Sequence, residues 1–193
     1  MLSRPPRWIW IQHRLAGMGS HPYNQALGFL DAARRRGFEP VLFMHADADA
    51  AVRAALPEGR PVFPDPVFRR DLSFDERTAA YLTLLEEHVS SLVDTGDWVF
   101  VTIATQVEGR ALAAWLRALP KDRRPWTLCL FLSDRWNRSG AERTRQLAEF
   151  QVTAGDFASW NTGAEPHLVL ASLTAGLSRE LSGLLEVPFL VAP

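Results

Sequence analysis

"DWVFVTIATQ", residues 97–106, decides the fold. A strand with one wet face alternates apolar and polar residues. A strand buried on both faces is apolar almost without interruption, and 97–106 is of that kind. "PWTLCLFLSD", residues 125–134, has the same character, and Arg7 to Gln12 is a shorter Trp- and Ile-rich example. Helical patterns lie between these runs. His21 to Arg36 carries Leu27, Leu30 and Ala33 on one face and stops at Gly37, where a helix end favours a left-handed residue. Pro40 to His45 is a strand, Ala48 to Leu56 a short helix, and the proline-rich 60–68 a short strand at best. Ser73 and Glu76 form a capping box opening a helix whose stripe runs through Leu82, Leu85, Val89 and Leu92 until Asp94 and Gly96. Glu108 to Leu119 and Ala141 to Ala154 are helical, 166–172 a strand, Thr174 to Leu185 a helix, and 187–192 a last short strand.

Strands alternating with helices imply a parallel sheet with right-handed crossovers and helices on both faces. The expected fold is therefore α/β, a doubly wound Rossmann-like sheet, in a single domain over residues 1–193. Ligands of such sheets bind beyond the carboxyl ends of the strands, where the winding reverses. That singles out the loops 12–23, 45–49, 105–108 and 133–138.

Composition narrows the function classes. Apolar residues make up 47%, charged residues 22%, and the net charge is -1, so no global attraction to nucleic acid follows. Lys121 is the sole lysine, and the arginine-rich balance suggests a high-GC bacterial source. Cys129, the sole cysteine, lies in an apolar run and reads as a buried, inert thiol. The apolar start is ended by Gln12, His13 and Arg14, too early for a signal peptide or a membrane span, and a cytoplasmic protein is expected. Arg34 to Arg36 read as a solvated helix end, with peripheral contact to anionic lipid as the alternative. His88 falls beside the helical stripe and reads as a packed or snorkelling side chain rather than a ligand.

"LAGMGSHPYNQALGF", residues 15–29, is the other informative stretch. It lacks the lysine of a phosphate loop. Pro22 stands where a dinucleotide fingerprint needs its third glycine, which disfavours NAD(P). What remains is a glycine turn into a helix, with Ser20 as N-cap and Pro22 in the first turn. Gly17 and Gly19 serve either positive φ angles or close approach of a ligand. Free amides at this end favour an anion or a sugar hydroxyl, and His21 and Asn24 add polar side chains.

This opening, with Ala26, Leu30, Ala33, Gly37, Phe38 and Glu39 spaced into the second strand, resembles GT-B glycosyltransferases of the family 4 type. Residues 97–120 and 167–193 are similar to the fourth strand with its helix, and to the last amino-terminal unit, of bacterial members. The resemblance covers nearly the whole chain with degenerate motifs. It implies an amino-terminal half that binds a sugar, lipid or small-molecule acceptor. A separate carboxyl-terminal domain would hold most of the nucleotide-sugar donor, through an E-x7-E motif absent from this sequence. No cofactor and no metal site are expected.

The same resemblance points to a base after the fourth strand. That loop reads Thr105-Gln106-Val107-Glu108, so Glu108 is either a base or a first-turn acid favoured by the helix dipole. His21 is the other candidate base. Thr105, Gln106, Asp134 and Arg135 join Gly17, Gly19, Ser20 and Asn24 as candidate acceptor contacts. "SDRWNRSG" offers Trp136 to stack on a sugar ring, and Arg135 and Arg138 for phosphate, or is an ordinary solvated loop. The competing function class is a non-catalytic Rossmann-like module that binds a small molecule or a partner protein.

Overall fold

The computed structural model describes residues 4–64, 71–102, 104–131, 140–158, 167–186 and 188–191. The elements follow in strict alternation: β1 (Arg7–Gln12), α1 (His21–Arg35), β2 (Glu39–His45), α2 (Ala50–Ala55), β3 (Gly59–Phe63), α3 (Phe74–His88), β4 (Trp98–Thr102), α4 (Gln106–Ala118), β5 (Trp126–Phe131), α5 (Ala141–Ala158), β6 (Leu168–Ser172), α6 (Ala175–Leu185) and β7 (Leu190–Val191). Among the described residues, seven strands form one sheet in the order β3-β2-β1-β4-β5-β6-β7. Every pairing is parallel. This is the doubly wound, Rossmann-like α/β fold that the apolar strands require. The winding reverses between β1 and β4, which are neighbours at the centre of the sheet.

Strand alternation divides the core in two. Ile9, Ile11, Val99, Val101, Cys129 and Phe131 point to the face covered by α3, α4, α5 and α6. Trp10, Leu42, Met44, Phe100 and Leu130 point to the other face, where α1 and α2 pack. Among the described residues no helix other than α1 and α2 covers this second face. There Trp8, Trp98 and Trp126 stand in one register row, with ring centroids 6.0 and 6.1 Å apart.

Three local readings change. The buried stripe of α1 is Ala26, Leu30 and Ala33, whereas Leu27 is 47% exposed. Of the stripe, Leu85 and Val89 are buried and Leu92 only partly so, with Val93 buried next to it, yet α3 stops at His88. Carbonyls beyond its end are taken by arginines: Arg123 donates to Ser90 (3.0 Å) and Val93 (2.9 Å), and Arg7 to Leu92 (2.6 Å). Those bonds satisfy the backbone without another helical turn. Finally, α5 runs on to Ala158, burying Phe157 against α4. Gly37 does hold the left-handed conformation (φ +81°) that ends α1. No helix among the described residues is long and apolar enough to cross a membrane.

Candidate functional site

β1 and β4 deliver their carboxyl ends side by side, and the residues just beyond them build the site. Ile9 and Ile11 face α4, and His13 continues that alternation one residue past the strand. Its side chain is fully buried. Across from it, Thr105 caps α4 and Glu108 is the third residue of the helix. Thr105 donates its backbone N–H to Glu108 Oε2 at 2.9 Å, and its hydroxyl donates to the same oxygen. In return Thr105 Oγ1 accepts from the Val107 amide at 3.3 Å. The other carboxylate oxygen, Glu108 Oε1, lies 3.2 Å from His13 Nε2, and both side chains are 0% exposed. A capping acid thus doubles as the partner of a buried imidazole.

Cys129, on the same face, is buried beside this pair. Burial first, and the Glu108 charge second, push its thiol well above the ordinary range. It is therefore a poor nucleophile and packs as a small apolar residue.

Gln106 belongs to a second buried network. Its side-chain amide donates to Glu149 Oε2 at 2.5 Å, while Arg77 lies 3.3 Å from Glu149 Oε1. Thr153 Oγ1 reaches the Gln106 carbonyl at 3.1 Å. These bonds lock α3, α4 and α5 together, and they occupy the Gln106 side chain.

The glycine loop differs from its expected geometry. Gly17 and Gly19 are not among the described residues with positive φ. A Cβ on Gly17 would rest an ordinary 3.6 Å from Asp49 Oδ2, and one on Gly19 would meet nothing within 4 Å. Neither backbone angle nor close packing requires a glycine at either position. Ser20 holds the N-cap position but makes no side-chain cap bond; its hydroxyl donates back to the Gly17 carbonyl at 2.6 Å. His21 and Asn24 are exposed. The histidine set against Glu108 is His13, not His21. Asp134 and Arg135, with Trp136 and Arg138, lie outside the described residues.

Two features are not evident from the local pattern alone. His13 follows an apolar run as a polar residue, and its parity with Ile9 and Ile11 places it on the α4 side. Asp47 and Asp49 have D-x-D spacing, but Asp49 Oδ1 accepts from Val52 N at 2.7 Å as the N-cap of α2. Among the described residues no group of three His, Cys, Asp or Glu is placed to hold a metal. A shallow apolar pocket lined by Trp8, Phe29, Ala32, Ala33, Arg36 and Phe38 opens at the opposite, amino-terminal edge of the sheet.

No family model matches the chain, and no curated protein and no solved structure matches it.

Proposed function

We propose that the chain is the acceptor-binding half of a GT-B-type glycosyltransferase, transferring a sugar from a nucleotide sugar to a glycan, lipid or small-molecule hydroxyl. The observation that carries this reading is the His13–Glu108 pair at the point where the winding reverses. A carboxylate on one imidazole nitrogen fixes the tautomer and stabilises the imidazolium formed when the other nitrogen takes a proton. In this reading the acceptor hydroxyl gives its proton to His13 Nδ1. Its oxygen forms the bond to the anomeric carbon as the bond to the diphosphate breaks. The bonding electrons leave with the nucleoside diphosphate. Glu108 Oε1, 3.2 Å from Nε2, stabilises that charge across the pair. The diphosphate itself is assigned mainly to a second, nucleotide-sugar-binding domain.

The complete burial of both side chains favours a second reading, a binding module in which the pair only ties β1 to α4. The two part on one assay. The native gene product, together with its nucleotide-sugar-binding domain where that is a separate chain, is incubated with UDP-, GDP- and ADP-hexoses, with and without methyl glycosides, and released nucleoside diphosphate is measured. The transferase reading expects release from at least one donor, increased by a hydroxyl acceptor. A folded protein that releases none from any donor overturns it and leaves the module.

A further inference from the structure

The pair just described occupies the α4 side of β1; the α1 side of the same strand end holds buried polar atoms with no partner among the described residues. Gln12 is 0% exposed, and its side-chain carbonyl accepts from Arg14 N at 3.4 Å. Its amide nitrogen has no partner among the described residues. Gln25, on α1, has a buried side-chain carbonyl oxygen that likewise has none. Buried amides in folded proteins are almost always satisfied, so two unsatisfied ones in one neighbourhood call for an occupant.

Their neighbourhood follows from the geometry. Phe29 of α1 packs on Trp10 of β1 with ring centroids 4.9 Å apart. Gln25 precedes Phe29 by four residues, about 6 Å along the helix. Gln12 follows Trp10 by two residues, about 6.6 Å along the strand. α1 runs back against β1, as a crossover between parallel strands must, so both displacements point to the carboxyl edge of the sheet. Both residues thus stand at one level. Thr102 joins them: it follows Val101, the partner of Ile11, and its Oγ1 accepts from Trp10 Nε1 at 3.0 Å, leaving its own proton to give. The glycine turn and the amino end of α1 border the same edge.

We infer that Gln12, Gln25 and Thr102 form a subsite for a pair of neighbouring hydroxyl groups on a neutral sugar. An unused N–H donor, an unused carbonyl acceptor and a hydroxyl match groups that each donate and accept. A phosphate or carboxylate would set its oxygens against Gln25 Oε1, and a cation would face the Gln12 N–H. The inference rests on the transferase reading and deepens it: the acceptor enters by its sugar ring, held on the α1 side while its reacting hydroxyl is directed to His13.

The test uses saturation-transfer NMR with methyl α-glucoside, methyl α-mannoside and methyl β-galactoside. The protein is compared with Gln12→Met and Gln25→Met, which keep chain length and remove the amide. Removing unsatisfied buried atoms should leave Tm unchanged or raised, so either variant can report if the other does not fold. Binding of a glycoside that weakens about tenfold or more in the variants is the expected result. Equal binding to all three proteins overturns the subsite and leaves the transferase reading standing. No glycoside binding to the unaltered protein overturns the subsite, and a bound water then accounts for both amides; the transferase reading is judged separately by nucleoside diphosphate release.

Discussion

His13 Nε2 stands 3.2 Å from Glu108 Oε1 with neither side chain exposed, and the same carboxylate closes the capping box of α4. Glu108 therefore carries two structural duties. Glu108→Ala removes the carboxylate beside the His13 ring and opens the helix start together, and should cost about 3 kcal/mol or more. Glu108→Gln keeps a residue that still serves a capping box, and should cost clearly less. Urea unfolding with an unchanged m value separates the two. Equal losses would show that the second duty contributes nothing.

Two glycines should respond in opposite directions. A Cβ at Gly109 would come within 2.8 Å of Phe157 Cζ and 3.2 Å of Thr153 Cγ2, both in the packed α4–α5 contact. Gly109→Ala is expected to destabilise by about 1–3 kcal/mol. Gly19→Ala meets nothing and should be neutral or stabilising by about 0.4–1 kcal/mol through the unfolded chain. If the loop admits a ligand, Gly19→Ala should also weaken methyl glycoside binding. Thermal melts of both variants check the first pair of expectations.

Cys129 gives a pH signature. Its thiol is held well above the usual range in the folded state, so the folded protein keeps a proton that the unfolded chain loses near pH 8.5. The stability this contributes is fully present below that pH and falls as pH rises toward the folded value. Stability should decline above about pH 8.5, and Cys129→Ala should remove that decline. In the native state a thiol reagent such as DTNB should react only after denaturant is added. Rapid native labelling would contradict the burial.

The start of α3 responds to acid. Ser73 Oγ accepts from Glu76 N, and Glu76 accepts from Ser73 N at 2.8 Å; the Ser73 side chain first, and its amide second, hold the Glu76 carboxyl below its ordinary range. A lowered folded value contributes stability above the unfolded value of about 4.3, lost as pH falls through the folded one. Ser73→Ala should lower Tm by about 2–4 °C at neutral pH, and by less in acid. A constant difference across pH would remove Glu76 from the cap.

The fold was legible because its deciding signals are local. β4 and β5 are apolar on both faces, Gly37 ends a helix, and Ser73 with Glu76 starts one. The site was less so. His13 meets a carboxylate 95 positions later, through a strand pairing that hydrophobic periodicity does not specify. Glu108 was visible as a first-turn acid, but its second oxygen gains a role only when β4 lies beside β1. Leu27 misled because its helical spacing suits the core, while the sheet selected the small Ala26 for close packing.

The central claim is that His13 is the base, and the most direct measurement is the pH dependence of nucleoside diphosphate release by the native gene product and by its His13→Gln variant. Gln keeps a polar amide beside Glu108. Its folding is checked by Tm, and Glu108→Gln serves if it does not fold. The account predicts a rate that rises as one group loses its proton, and a folded His13→Gln protein slower by about a hundredfold or more, without that rise. A folded His13→Gln protein with the unaltered rate and pH profile would contradict it.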